Sequence, residues 1–232
     1  MKLTAVKLKT ITLIAFAVCS MAGFAQVEKT IYVMQNGEVV FESPVSDIDS
    51  IIFYNPDEAG VEINGVVWAT RNVGAPGTFV ENPEDYGGYY QFNRGTTDFL
   101  LDNDYWAGDY AQSNSWLPAN DPAPAGWRVP NLTEIQKLCD KNNVSSQWIT
   151  LNGINGRKFA DKTNGNSIFL PAAGYRYGGD STLDDIGASG FYWVSATIDT
   201  NNACSLYFSS GPSGWYLGSY RSNSLSVRPV AD

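Results

Sequence analysis

Leu151-Asn152-Gly153-Ile154-Asn155-Gly156-Arg157, followed shortly by Asn164-Gly165-Asn166-Ser167-Ile168-Phe169-Leu170, is the stretch whose reading decides the fold. An Asn-Gly pair between β-branched and aromatic residues is the strongest short-range hairpin signal, because both turn positions must accept positive φ. The pair recurs at Asn64-Gly65 beside Val66-Val67-Trp68, and at Asn36-Gly37. A chain rich in hairpins is expected. One segment reads as helix instead: Asn131 can cap it, Glu134 completes a capping box, and Ile135, Leu138 and Cys139 follow at helical spacing behind Pro130. The fold class is therefore α+β and β-rich.

Working outward, residues 26–58 read as a small β leader. It comprises a strand over Thr30–Gln35, the Asn36-Gly37 turn, a strand over Glu38–Ser43 and a third over Asp49–Tyr54. A segment this small cannot hold a core alone. Asn55-Pro56-Asp57-Glu58-Ala59-Gly60 reads as a linker, and residues 60–232 as the main domain. Within it, 79–124 and 175–190 are rich in Gly, Asp, Ser and Tyr, lack periodicity and are expected to be loops. Long loops in a compact domain usually carry function, and their aromatics favour order.

Lys2, Lys7 and Lys9, the apolar run Ile11–Phe24 and the exit Gly23-Phe24-Ala25 have the layout of a secretory signal over residues 1–25. The run falls short of the ~20 apolar residues that span a bilayer, so no membrane span is expected in the mature chain. Lipidation at Cys19 is the weaker reading, because Val18 precedes it. Removing residues 1–25 takes Lys+Arg from 15 to 12 against 24 Asp+Glu, a net charge of −12. That balance disfavours nucleic acid and anionic lipid as partners. The chain has no histidine, which removes the commonest general base and imidazole metal ligand. No enzyme activity is expected. Cys139 and Cys204 survive signal removal, and two readings stay open: a disulfide of the oxidising compartment, or two buried thiols.

Six separated blocks carry a family resemblance: Trp68-Ala69-Thr70-Arg71-Asn72-Val73-Gly74, Tyr86-Gly87-Gly88-Tyr89-Tyr90, Pro124-Ala125-Gly126-Trp127-Arg128-Val129-Pro130, Phe169-Leu170-Pro171-Ala172-Ala173-Gly174-Tyr175-Arg176, Gly190-Phe191-Tyr192-Trp193 and Ser226-Val227-Arg228-Pro229-Val230. In this order they resemble the Fibrobacter succinogenes major paralogous domain family over roughly residues 61–232. The resemblance implies a C-type-lectin-like fold, related to the formylglycine-generating-enzyme fold, on exported proteins of the Bacteroidetes–Fibrobacter group. The segment Pro44-Val45-Ser46-Asp47-Ile48-Asp49-Ser50-Ile51 is similar to a β leader found in front of such domains. Ala123-Pro124 stands where the family often has Cys-Pro, so the Cys139–Cys204 pairing lacks family support. The formylglycine-generating relatives use two closely spaced cysteines near the C-terminus. This chain has only Cys204 there, and copper oxidase chemistry is not expected.

Trp68, Trp127, Trp193 and Phe169 are read as core, and Arg128, Arg176 and Arg228 as structural cations that pair carboxylates or loop carbonyls. Candidate ligand contacts are the loop aromatics: Tyr105, Trp106 and Tyr110 among acids, and Trp215, Tyr216 and Tyr220 with Arg221 and Asn223. Flat rings beside planar hydrogen-bonding side chains suit the apolar face and hydroxyls of a sugar. The same rings could simply stitch loops to the body. Asp102, Asp104 and Asp109 supply the hard oxygen ligands that calcium takes, as do Asp180, Asp184 and Asp185, though solvated acidic loops read the same way. Glu81-Asn82-Pro83-Glu84 echoes only the composition of the Glu-Pro-Asn triplet of calcium lectins. The expectation is an exported binding or adhesion protein, at the cell surface or outer membrane or extracellular, that recognises a glycan or a surface protein. It needs no cofactor, calcium being the one candidate. A tip subunit of a surface fibre is the alternative, and an oxidase or carboxylate glycosidase the less favoured one.

Overall fold

A computed structural model of the protein describes residues 29–35, 38–47, 60–96, 113–178, 182–211 and 215–232. The chain divides into two compact units, 1–54 and 55–232. In the first, β1 (Thr30–Gln35) pairs antiparallel with β2 (Glu38–Pro44), Gln35 opposite Glu38, with an irregularity between Val33 and Met34. A 3-10 turn over Val45–Asp47 follows, and the Val45 N–H donates to the Lys29 carbonyl at 2.7 Å. The Asn36-Gly37 turn and the expected strand Asp49–Tyr54 lie outside the described residues.

The second unit begins with β3 (Val61–Ile63) and β4 (Val66–Trp68), joined through Asn64 and Gly65 at φ of 49° and 69°. Both residues take the left-handed conformation that a two-residue hairpin demands. Next come β5 (Tyr90–Gln91), β6 (Trp127–Arg128) and helix α1 (Leu132–Leu138). The helix starts where its capping box requires: the Asn131 side chain accepts from the Glu134 N–H at 3.1 Å, and Glu134 accepts from the Asn131 N–H at 2.8 Å. Arg128 donates to both Glu134 oxygens, at 2.9 and 2.6 Å. Burial alone would raise the Glu134 carboxyl, but this pair and the Asn131 N–H outweigh it and hold the pKa below the ordinary value.

After the helix, β7 (Val144–Leu151), β8 (Ile154–Asp161) and β9 (Ser167–Pro171) form an antiparallel meander. Asn152 and Gly153, at φ of 47° and 86°, make the first turn. The second signal in that stretch needs a correction, because Asn155-Gly156 lies inside β8 and is no turn. Gly156 is there for space: a Cβ would stand 2.4 Å from both the Leu170 carbonyl and the Phe169 ring.

The remaining strands are β10 (Tyr175–Arg176), β11 (Leu183–Asp184), β12 (Ser189–Thr197), β13 (Asn202–Ser209), β14 (Trp215–Tyr220), β15 (Ser224–Leu225) and β16 (Val230–Ala231). Three further sheets result, ordered β11-β10-β15-β5, β12-β13-β14 and β3-β4-β16-β6. Residues 175–190, expected as loop, thus contain the β10–β11 pair, and Trp215–Tyr220 forms a strand rather than a loop. Their glycines and serines mask short ladders that the rest of the sheet completes. The unit is β-rich with a single α-helix among the described residues.

Two apolar clusters fill it. One gathers Trp68, Ile135, Leu138, Phe159, Tyr192 and Phe208, and the other Val73, Phe92, Trp116, Trp193 and Val227. Trp68 and Trp193 are fully buried and Phe169 nearly so, while Trp127 is half-buried against the edge of Phe79. No disulfide joins Cys139 and Cys204, which corrects the pairing alternative: each thiol packs in the first cluster as a small apolar group. Burial pushes the Cys139 thiol up to about 12, against the pull of Arg157 and Lys141. Among the described residues no helix is long and apolar enough to cross a membrane.

Candidate functional site

The 74–89 segment has little regular structure, so side chains must fix it. Asn72, fully buried, does most of this. Its amide donates to the Tyr86 carbonyl at 2.9 Å, to the Asp85 carbonyl at 3.4 Å and to the Tyr192 hydroxyl at 3.3 Å, while its oxygen accepts from Arg228 Nε at 2.8 Å. Arg228 also donates to the Ala69 carbonyl at 3.2 Å. Burial of this guanidinium pulls its pKa down to about 10 against the opposing pull of Tyr192, and the Asn72 and Ala69 oxygens it donates to are neutral. The Ser226 hydroxyl donates to the Tyr86 carbonyl from the same side, at 3.1 Å. Gly87 is required within this loop: its φ is 79°, and a Cβ would stand 2.3 Å from the Val73 carbonyl.

In front of this buried network lies an open cleft of about 630 Å³, lined by Gly74, Ala75, Val80, Glu81, Asp85, Gly87, Gly88, Tyr89 and Arg176. Arg71 shapes the rim by donating to the Val80 and Glu81 carbonyls, both at 3.3 Å, with its guanidinium 5.8 Å from the Phe79 ring centre. Tyr89 forms a wall. Its hydroxyl donates to the Ala173 carbonyl at 2.6 Å, and burial, with Tyr86 adding to it and Arg176 opposing, pushes its pKa up to about 12. The Arg176 guanidinium sits 5.8 Å from the Tyr89 ring centre. Of the acids, Asp85 accepts from the Asn82 N–H at 2.8 Å and from its side-chain amide at 3.3 Å. Glu84, outside the cleft lining, accepts from the Asn152 amide at 2.7 Å and ties the rim to the β7–β8 turn. Ring, guanidinium and carboxylates around one hollow can stack on and hydrogen-bond a hydroxylated ligand.

Of the aromatic contacts expected from sequence, only Tyr220 has a described side chain. Tyr105, Trp106 and Tyr110, with the calcium candidates Asp102, Asp104 and Asp109, lie outside the described residues, as does Asp180. Trp215 and Tyr216 belong to β14 by backbone, and their side chains are likewise outside the description. Tyr220, at the end of β14, is 60% exposed. Arg221 and Asn223 require correction as ligand contacts because both are buried. Arg221 donates to the Asp199 carbonyl at 2.8 Å and lies 5.2 Å from the Phe92 ring centre. Asn223 accepts from the Gly178 N–H at 3.1 Å. They hold neighbouring turns in place. Among the described residues no group of three His, Cys, Asp or Glu side chains gathers to hold a metal ion.

The cleft itself was missed as a site. Its residues were visible only as pieces, the Tyr86-Gly87-Gly88-Tyr89 block, Glu81 in the acidic run, and Arg176 in the role of a structural cation.

Residues 138–230 match a family described as a domain of unknown function (DUF8237). No curated protein and no solved structure matches the chain. The matched span takes in β7 to β16 and the Arg176 wall, while the 74–89 wall lies before it.

Proposed function

We propose that the chain is an exported, non-catalytic binding protein of the cell surface, whose main domain has a C-type-lectin-like fold and belongs with the Fibrobacter succinogenes major paralogous domains. It recognises a glycan on another surface, and the cleft between the 74–89 loop and Arg176 is its recognition site. The observation that carries this reading is the cleft's mixed lining: an aromatic ring with a guanidinium against it, and carboxylates bordering the same open hollow. That set of groups is suited to holding sugar hydroxyls. The sorted blocks of sequence and the signal-like N-terminus support the family and the export.

A glycan array with residues 26–232, run with and without chelator, tests the reading. Binding that Tyr89→Ala abolishes at unchanged fold is expected. A blank array would remove the glycan reading, and release of reducing sugar from a bound oligosaccharide would turn the carboxylates into a glycosidase pair.

A further inference from the structure

The backbone of the cleft gives its ligand a sign. The Tyr86 carbonyl points into the core, where it accepts from the fully buried Asn72 at 2.9 Å and Ser226 at 3.1 Å. The peptide is trans and planar, so the Gly87 N–H on its far side points the opposite way, outward, at a residue that lines the cleft. The same holds for Ala75. The Gly74 carbonyl accepts from the buried Tyr90 hydroxyl at 2.7 Å, which turns the Ala75 N–H away from the core. Neither N–H has an acceptor among the described residues. Two outward amides and the Arg176 guanidinium thus border one hollow, an arrangement of donors that favours an oxyanion.

Glu81 and Asp85 border the same hollow and set the limit on that anion. Two carboxylates repel a densely charged polyanion but accept hydrogen bonds from hydroxyls. A single negative group on an otherwise hydroxylated, ring-shaped ligand satisfies both halves of the lining.

We infer that the cleft takes an acidic sugar residue, its carboxylate held by Arg176 and the Ala75 and Gly87 amides, and its hydroxyls held by Glu81 and Asp85. This rests on the glycan reading above and narrows it to one chemical class.

Calorimetry with residues 26–232 tests it using a galacturonic-acid trisaccharide and the neutral galactose trisaccharide of the same linkage. The acidic probe is expected to bind about tenfold tighter or more, as a charge-assisted contact implies, and added salt should weaken it alone. Arg176→Gln should bring the acidic probe down to the neutral one, and Arg176→Lys should keep part of the preference. Equal binding of both probes by the wild type would overturn the acidic preference and leave the glycan reading standing. Failure of both probes together with a blank array would remove both. A tri-glutamate peptide bound in preference to the acidic sugar would overturn the inference in favour of a protein partner.

Discussion

One wall of the cleft, residues 74–89, has almost no regular structure and is held from behind by buried side chains. The other, around Arg176, is held by backbone ladders of only one or two residue pairs in the β11-β10-β15-β5 sheet. The first wall depends on the hydrogen bond that Asn72 donates to Tyr192 and the one it accepts from Arg228, residues far apart in sequence that meet only when the whole unit is folded. The second depends on register: Arg176 pairs with Leu183 on one side and Ser224 on the other. A loop can therefore present a fixed surface if its carbonyls are tied down, and an arginine can face solvent from a strand too short to be read as one.

The largest expected effect breaks the first wall. Asn72→Ala leaves the buried Arg228 guanidinium without its short partner, and orphaning a buried charged donor costs about 3 kcal/mol. Urea unfolding measures this; a loss below about 1 kcal/mol would mean that the network does not hold the loop.

Glycines come next, one for each wall. Gly87→Ala and Gly174→Ala both place a Cβ at positive φ, 2.3 Å from the Val73 carbonyl and 2.0 Å from the Asp184 carbonyl. Each should cost roughly 2 kcal/mol or more, since strain and backbone overlap add. If only Gly174→Ala destabilises, the 74–89 wall is softer than its hydrogen bonds suggest.

Alkaline pH should loosen the first wall more gradually. Burial raises Tyr89 to about 12 and lifts Tyr90 and Tyr192 as well. A raised tyrosine contributes stability that is complete below its unfolded value of about 10 and is lost as pH climbs through the folded value. Arg228 works the other way, because its folded value lies below its unfolded one and its stability penalty fades as pH climbs past about 10. Three tyrosines against one arginine should leave a net fall, seen as tyrosinate absorbance that rises together with unfolding. Absorbance from all three that rises well before unfolding would contradict their burial.

The smallest expected effect on the fold, and the largest on binding, is Arg176→Gln. Its half-exposed guanidinium lies 5.8 Å from the Tyr89 ring centre, so stability should fall by about 1 kcal/mol or less in thermal melts while ligand affinity falls. A collapse in stability would make Arg176 the structural cation that sequence reasoning took it for.

Much of the scaffold was legible before any coordinates. The capping box of Asn131 and Glu134, the Asn64-Gly65 and Asn152-Gly153 turns and the burial of Trp68 and Trp193 all follow from interactions within a few residues or from plain apolarity. Asn155-Gly156 misled because the same dipeptide serves two ends, positive φ in a turn and absence of a Cβ under Phe169 in a strand. Only the partner strand decides which. The cleft was illegible for a related reason: Gly87, Tyr89 and Arg176 are ordinary residues until short ladders and a buried asparagine bring them to one hollow. Arg221 shows the converse, a cation beside aromatics that looks like a contact and is folded inward onto Phe92.

Hydrogen–deuterium exchange on residues 26–232 with and without a captured acidic oligosaccharide tests the site most directly. Protection concentrated at 74–89 and 175–177 is the predicted result. Protection confined to 105–110 or 215–220, with those two segments unchanged, would contradict it.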